Sequence, residues 1–322
     1  MVAENHSMPL VSIVIPARNE EGSIARLQTD LLAAVAGLPY EFEFIVIDNA
    51  SEDQTGELVK AICASDPRWK YMRFSRNFSV EMSITAGYRA ATGHAIIVLY
   101  SDLQDPPEVI PRFLQKWREG FDVVYGVRQV RPGEPVWRNL LVKYVYRIIV
   151  WAAEVPIPLD AGDFRLITRE VRDALEQCDE YNRYLRGLIA WLGFRQIGIP
   201  YERRARYSGI SKAPFWDMVI FAFNGITSFS LKPLRLFTLF GSAILGVSAL
   251  AVPVYALLFI TGSPPPGITT IIILLIVAIG LNSFGIGVLG EYLGRTYSEV
   301  KRRPLYIIAE TVNLPRAPDK HR

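Results

Sequence analysis

The sequence predicts an α/β fold, with a mainly parallel sheet covered by helices, followed by interfacial helices and a two-helix transmembrane hairpin. Three observations predict it. Short apolar runs rich in β-branched residues alternate with helical periodicity through residues 1–210, as in a parallel sheet with helices on both faces. Residues 236–260 and 268–290 carry no charge, and each run exceeds the roughly 20 residues that a helix needs to cross a bilayer. Basic residues flank this pair of runs on its outer sides only.

Each predicted strand is a short apolar run that ends at polar residues. Strands are predicted over residues 10–15, 42–47, 71–74, 95–99 and 122–127. After the first strand, Pro16 stops the extended chain, and a helical pattern places Ile24, Leu27 and Leu31 on one face. After the second strand, residues 49–53 are of the types that cap a helix. The order of strand and helix indicates repeated βα units.

The stretch from Tyr100 to Pro107 is the most informative of the chain. It follows the apolar run of residues 95–99 and ends in two prolines. In extended backbone Asp102 and Gln104 would point the same way, and two oxygen ligands on one side suit a hard divalent cation that also holds a diphosphate. The alternative is an ordinary strand-to-loop turn in which Asp and Pro serve turn geometry.

Polar residues follow three of the predicted strands at one edge of the sheet. They are Arg18 and Glu20 after the first strand, Asp48 after the second, and Asp102 and Gln104 after the fourth. In open α/β sheets ligands bind outside the carboxyl ends of the strands. The chain has no Gly-x-Gly-x-x-Gly after the first strand and no Walker loop. A nucleotide would therefore be held by carboxylates and a metal, with Asp48 accepting from a base or ribose group.

The charge distribution around the two apolar runs predicts their orientation. The connection of residues 261–267 is uncharged, whereas basic residues precede the first run and follow the second, which favours a hairpin with both ends in the cytoplasm. Residues 1–6 lack a signal pattern, as expected for a domain that stays in the cytoplasm. Two buried helices of a soluble core fit less well, because core helices are normally amphipathic and shorter.

These patterns divide the chain into four parts. We expect a cytoplasmic catalytic domain over residues 1–210, interfacial helices over 211–234, membrane helices within 235–294 (about 236–260 and 268–291), and a cytoplasmic tail over 295–322. The predicted location is the inner or plasma membrane. The lipid bilayer would then be a partner of the hairpin.

Arginines beside the predicted site suggest phosphate binding. Arg128 leaves the end of the fifth strand and Arg138 follows it, and a guanidinium fork matches phosphate oxygens. A solvated basic loop is the alternative. Further on, a glycine-containing basic loop with Arg206, Ser211 and Lys212 could close over a diphosphate, or could be a polybasic linker beside the membrane.

Residues 159–166 contain two carboxylates and an arginine, Asp160, Asp163 and Arg165. Such a group can be a structural ion-pair turn or can take part directly in catalysis. The residues leave both interpretations open.

Three segments together resemble a known family. Residues 14–20, 46–53 and 102–108 closely resemble the inverting family 2 glycosyltransferases, which have the GT-A fold. The match is closest to the polyprenyl-phosphate branch, which includes dolichol-phosphate-mannose synthases and bacterial undecaprenyl-phosphate glucosyltransferases. The resemblance covers nearly the whole chain. One departure is plain, because the family usually reads Asp-Ala-Asp-Leu-Gln and this chain has Tyr100 at the first position, where a hydroxyl can still donate to an oxygen.

The resemblance implies roles for individual residues. Those implied at the nucleotide are Pro16, Arg18, Glu20 and Asp48, and those implied to bind Mg²⁺ or Mn²⁺ with the diphosphate are Asp102 and Gln104. Arg128 and Arg138 would hold the phosphate of the acceptor lipid. Residues 159–166 would lie near the reacting sugar, and the loop from Arg206 to Lys212 would match the family's lid.

The implied reaction is transfer of a sugar from a nucleotide-sugar donor to a polyprenyl phosphate. A phosphate nucleophile is already anionic at pH 7 and needs little help from a general base. The resemblance favours UDP-glucose, with aminoarabinose, GlcNAc or mannose donors as alternatives. A processive polysaccharide synthase would usually carry Gln-x-x-Arg-Trp and more membrane helices, and an inactive membrane scaffold also stays open given Tyr100.

Composition bounds the remaining possibilities. A net charge of +3 implies no general affinity for nucleic acid, and neither the two cysteines nor the three scattered histidines suggest a metal site. Glycines in the second apolar run allow either packing against the first helix or homo-oligomerisation. Residues 304–310 predict a short strand that pairs within the chain or with a neighbouring molecule.

Overall fold

A computed structural model describes residues 8–128, 161–204, 232–262 and 267–314. The strands are β1 (Leu10–Ala17), β2 (Glu41–Asp48), β3 (Trp69–Phe74), β4 (Ala95–Val98), β5 (Val123–Arg128), β6 (Ala161–Thr168), β7 (Gln196–Tyr201) and β8 (Ile308–Val312). The helices are α1 (Glu21–Val35), α2 (Thr55–Ser65), α3 (Val80–Ala90), α4 (Ile110–Arg118), α5 (Arg169–Glu176), α6 (Leu185–Trp191), α7 (Lys232–Ile260) and α8 (Ile268–Lys301).

The described strands form one sheet in the order β7-β5-β6-β4-β1-β2-β3-β8. Strands β4, β1, β2 and β3 run parallel, as do β5 and β7. Strand β6 pairs antiparallel with both β4 and β5, and β8 pairs antiparallel with β3. The predicted α/β fold with a mainly parallel sheet is confirmed, because six of the eight described strands run in one direction. The antiparallel strands β6 and β8 make the sheet a mixed one. The sequence did not reveal β6 as a strand, because its charged residues interrupt the apolar run that marks the other central strands.

Helices cover both faces of the sheet, as the uninterrupted apolar strands predict. Alternate residues of β1 enter different cores, with Ile13 and Ile15 on one side and Val14 on the other. The first core includes the buried faces of α1, α2 and α4, and the second includes those of α3, α5 and α6. A fully buried side chain of this size contributes about 1.5–3 kcal/mol to folding, so the sheet is a firm support for its polar edge.

The chain returns to the sheet after α8. Strand β8 becomes an outer strand of the sheet, with Tyr71 opposite Val312. Near the end of α8, the Glu299 carboxylate accepts from the backbone N–H of Tyr181 and of Asn182, at 2.9 and 3.3 Å. The predicted terminal strand therefore pairs within the chain. The hydrogen bonds of Glu299 hold the carboxyl end of α8 against residues 181–182.

Helices α7 and α8 approach closely at one glycine. A Cβ on Gly285 would lie 2.2 Å from the ring of Phe237, so a larger residue would require that ring to move. Gly280, Gly287 and Gly290 have no neighbour within 4 Å of a Cβ position. Helix packing thus explains Gly285 alone. No helix in the described part of the chain has both the length and the apolar character needed to cross a membrane, and the transmembrane hairpin stays a prediction.

Candidate active site

A cavity of about 520 Å³ lies at the carboxyl ends of the central strands. Its size is typical of a small-molecule site. Three carboxylates and four arginines of the described chain line it, and they come from six different segments. The lining residues are Pro16, Ala17, Arg18, Glu20, Asn49, Asn77, Ser79, Val80, Ser83, Tyr100, Ser101, Asp102, Arg128, Asp163, Arg186 and Arg203.

The loop after β1 is held by the loop after β2. The backbone N–H of Asn19 donates to Ser51 Oγ at 3.0 Å, and that of Glu20 donates to Thr55 Oγ1 at 2.8 Å. In return, Asn19 Oδ1 accepts from the backbone N–H of Glu52 at 2.8 Å. These bonds stabilise Asn19 in the left-handed region, at φ 55°. The predicted nucleotide residues Pro16, Arg18 and Glu20 are thereby placed together on the cavity wall.

Asp48 lies behind this wall and does not line the cavity. Its side chain is fully buried, Oδ1 accepts from the backbone N–H of Ser51, and Oδ2 accepts from the Tyr71 hydroxyl, both at 2.7 Å. Burial and the hydrogen bond to Asp48 raise the pKa of Tyr71 well above its usual range. In this arrangement Asp48 shapes the loop after β2. Its predicted contact with a base or ribose stays a prediction.

The stretch after β4 is a turn and not an extended segment. Leu103 is buried with φ 59°, in the left-handed region, and Asp102 Oδ1 accepts from the backbone N–H of Gln104 at 3.1 Å. The prediction that the side chains of Asp102 and Gln104 point the same way requires extended backbone between them. The left-handed conformation of Leu103 interrupts that backbone, so the prediction is wrong. Asp102 lines the cavity, whereas Gln104 does not, and its backbone carbonyl accepts from Arg204 at 2.9 Å. A metal contact by Gln104 stays a prediction.

Asp163 is the centre of an ion-pair cluster on the cavity wall. Arg186 donates to it through Nε, 2.6 Å from Oδ1, and through Nη2, 2.5 Å from Oδ2. The Tyr100 hydroxyl donates to Oδ2 at 2.8 Å. Burial acts to raise the pKa of Asp163, but the hydrogen bonds and charge of Arg186 outweigh it and lower the pKa to about 2. Asp163 therefore takes part in a structural ion pair and is a poor proton acceptor in this setting. Its direct part in catalysis stays a prediction.

Two further groups surround this cluster. Arg165 is buried, donates to the Gly162 carbonyl at 2.9 Å, and lies 4.0 Å from Asp163. It contacts the cluster but does not line the cavity. On α3, burial and the charge of Asp163 raise the pKa of Glu81 to about 7. Glu81 was not predicted as a site residue, since it carries no motif and its surroundings come from β6 and α6.

Arg128 lies on the cavity wall above a buried carboxylate. Its Nε donates to the Tyr201 hydroxyl at 3.3 Å, and that hydroxyl donates to Asp105 Oδ1. Arg128 Nη2 also lies 4.0 Å from the same oxygen. Asp105 is fully buried, and burial raises its pKa despite these partners. The arrangement aims the Arg128 guanidinium at the cavity, as a phosphate site requires.

The structure adds Arg186 and Arg203 to the predicted cavity residues. Arg186 is on a seven-residue helix without a recognisable motif, and only the basic run of residues 203–206 gave a signal for Arg203. Five predicted site residues lie outside the described residues, namely Asp160, Arg138, Arg206, Ser211 and Lys212.

Comparison with known proteins identifies the family. Residues 12–175 match the family model of glycosyl transferase family 2. The chain is 38% identical over 305 residues to the glycosyltransferase YkcC of Bacillus subtilis, covering 94% of each chain. It is 36% identical over 304 residues to the bactoprenol glucosyl transferase of Shigella phage SfII, covering 94% of this chain and 98% of that one.

Among solved structures, a similar one is glucosyl-3-phosphoglycerate synthase from Mycobacterium tuberculosis, in complex with Mn²⁺, UDP-glucose and phosphoglyceric acid. The TM-score is 0.46 at 18% identity, and the match covers 68% of this chain and 78% of that one. The family model spans half of this chain, and the two relatives match it almost from end to end. On this evidence the chain belongs to glycosyl transferase family 2.

Proposed function

We propose that this chain transfers glucose from UDP-glucose to the phosphate of a membrane polyprenyl phosphate, with inversion at the anomeric carbon. The products are polyprenyl-phosphate-glucose and UDP. The observation that carries the proposal is a cavity lined by Asp102 and by arginines from separate elements, in a chain similar along its length to a bactoprenol glucosyl transferase.

The described carboxylates favour a nucleophile that is already charged. Asp163 has both oxygens engaged by Arg186 and Tyr100, and its low pKa makes it a weak base. A sugar hydroxyl would need a base to remove its proton, whereas a lipid phosphate is anionic at neutral pH. The task left to the protein is to hold donor and acceptor in line and to balance charge. Single displacement then inverts the anomeric centre.

Asp102 is the residue best placed for a divalent metal. The described residues contain no cluster of three or more His, Cys, Asp or Glu side chains fit to hold an ion by themselves. Of the carboxylates on the wall, Asp163 is paired with Arg186, whereas Asp102 follows the carboxyl end of β4 and accepts from the backbone N–H of Gln104 through Oδ1. A ligand set of one carboxylate, diphosphate oxygens and water suits Mg²⁺ or Mn²⁺. When bound, the ion would offset the charge of the leaving diphosphate.

Arginines on the wall of the cavity suit the acceptor phosphate. Arg128 is held by Tyr201 and Asp105 with its guanidinium toward the cavity, and Arg203 lines the same space. A guanidinium is always charged and matches phosphate oxygens in pairs. Arg138 and the loop from Arg206 to Lys212 follow in the chain and would extend this basic wall.

The hairpin supports membrane attachment with the catalytic domain in the cytoplasm. Apolar side chains are exposed along both helices, for example Leu250 at 75%, Ile260 at 80% and Ile286 at 71%. Contiguous apolar surface of this kind marks a protein or membrane interface. The inner or plasma membrane is therefore the proposed location. A reporter fused after residue 322 should read as cytoplasmic, and release of the full chain by carbonate washing would contradict the proposal.

The test is a transfer assay with membranes that contain the full chain. UDP-[¹⁴C]glucose and undecaprenyl phosphate are supplied with Mn²⁺ or Mg²⁺, and the organic phase is analysed by mass spectrometry. We expect glucosyl phospholipid from the wild type and background from Asp102→Ala. The exposed Asp173→Ala on α5 is the matched control and should keep full activity. Wild-type membranes that yield no glucosyl lipid, or that prefer GDP-mannose, UDP-GlcNAc or UDP-aminoarabinose in a mixed-donor assay, would overturn the assignment of glucose.

A further inference from the structure

Tyr100 and Asp163 are brought together by strand register. Strands β4 and β6 are antiparallel with Val98 opposite Arg165. Continuing that register by two residues places position 100 opposite position 163, where cross-strand side chains are neighbours. The 2.8 Å hydrogen bond from the Tyr100 hydroxyl to Asp163 Oδ2 is the result. Tyr100 lies two residues beyond the end of β4, so the pairing of β4 with β6 brings it close to Asp163.

Asp163 in turn fixes the plane of one cavity arginine. The Arg186 guanidinium donates through Nε and Nη2 to the two oxygens of Asp163 in a fork. Such bidentate pairs add geometric specificity to the attraction between charges. Asp163 is 8% exposed and Arg186 lines the cavity. The buried carboxylate therefore holds the guanidinium where a ligand in the cavity can contact it.

The cluster accommodates a neutral donor at position 100 better than a carboxylate. Among the described residues, the charged groups that face Tyr100 or its partner are Glu81, Asp163, Arg165 and Arg186. A carboxylate opposite Asp163 would place two negative charges at one cross-strand position, which is destabilising. The tyrosine instead gives Asp163 a hydrogen bond without a charge.

We propose that Tyr100 is a positioning residue whose hydroxyl, with the Asp163 carboxylate, holds the Arg186 guanidinium on the cavity wall, where it orients a phosphate group of the substrates. The inference deepens the proposed glucosyl transfer and rests on it. The phosphate belongs either to the donor diphosphate or to the acceptor lipid. In either case Tyr100 does not stand in for a lost metal ligand.

The first test is a kinetic double-mutant cycle on the full chain in membranes, with Tyr100→Phe, Arg186→Lys and the double variant. Losing one hydrogen bond to a charged group should lower kcat/KM about tenfold in Tyr100→Phe. Since both residues act through Asp163, the double variant should fall little below Arg186→Lys. The substrate whose KM rises, UDP-glucose or undecaprenyl phosphate, identifies the phosphate that Arg186 orients. Tyr40→Phe is the control and should be unaffected, because that ring packs on Phe42 and Trp117 away from the cavity.

The second test places the family's usual residue at this position, as Tyr100→Asp. The inference predicts activity below that of Tyr100→Phe, because the short carboxylate adds charge beside Asp163 and donates no hydrogen bond. Higher activity, or activation at lower Mn²⁺ concentration, would show a lost metal ligand and overturn the inference. Full activity of Tyr100→Phe would overturn it as well.

Thermal unfolding of the same variants separates this inference from the proposed function. The change in unfolding midpoint of the double variant should differ from the sum of the changes in Tyr100→Phe and Arg186→Lys, whether or not glucose is transferred. If the wild type transfers no glucose, the proposed function fails, and additive midpoints would then also refute the contact network. Non-additive midpoints with normal kinetics would confine Tyr100 to folding and refute its positioning role.

Discussion

Replacing Asp105 with asparagine tests whether a buried charge holds Arg128 in the proposed acceptor site. Two unit charges 4 Å apart interact by about 4 kcal/mol at an effective dielectric constant near 20. Here Arg128 Nη2 lies 4.0 Å from Asp105 Oδ1, but the Arg128 side chain is 35% exposed, so water screens much of the interaction. We expect a loss of about 1–2 kcal/mol after screening. That corresponds to a rise of roughly 5- to 30-fold in KM for the polyprenyl phosphate.

The assay varies the lipid at saturating UDP-glucose and then varies UDP-glucose at saturating lipid. Asparagine keeps an oxygen that can accept from Tyr201, so the variant removes the charge with little change of shape. KM for UDP-glucose should stay within about twofold of wild type, because Asp102 and the loops after β1 and β2 are untouched. Asp173→Asn, on the exposed face of α5, is the control. A lipid KM equal to that of wild type would refute the link between Asp105 and the acceptor.

Three further predictions concern other carboxylates. Asp102→Ala should lower transfer to background at any Mn²⁺ concentration, and activity near that of the wild type would remove Asp102 from the metal site. Glu81 has a pKa raised from 4.5 to about 7, so its folded form binds the proton more tightly, and stability should fall as the pH rises between these values. In Glu81→Gln the midpoint of thermal unfolding should no longer fall as the pH rises through this range. An unchanged dependence of the midpoint on pH would show that another group titrates. Glu43 is buried and accepts from Ser12, Lys70 and Thr92, so Glu43→Ala should cost about 3 kcal/mol in urea unfolding by leaving Lys70 unpaired. A loss below 1 kcal/mol would mean that water replaces the carboxylate.

Local sequence patterns were enough to predict the elements that carry the site. The apolar runs located β1 to β5 because buried strands need such runs, and the polar residues after them lie at one edge because parallel strands end together. Arg18, Glu20, Asp102 and Arg128 were predicted on that basis and line one cavity. The resemblance of three short segments identified the family, which the comparisons confirm.

Contacts between distant segments could not be predicted in this way. The left-handed turn at Leu103 turns Gln104 away from the cavity, and no residue preference announces a positive φ at leucine. Asp48 was expected at the nucleotide, yet Tyr71 and Ser51 engage both of its oxygens. Each of these arrangements depends on a side chain supplied by another element.

Local patterns predict the α/β class, the polar edge of the sheet and the residue types there that suit diphosphate and phosphate, because these depend on periodicity and on composition at strand ends. Which of those groups lie together depends on contacts between distant segments. Tyr100 meets Asp163 because the register of β4 and β6 aligns residues 63 positions apart, and α6 then brings Arg186 to the same carboxylate. Strand register and helix packing are properties of the whole sheet, and no single segment contains them.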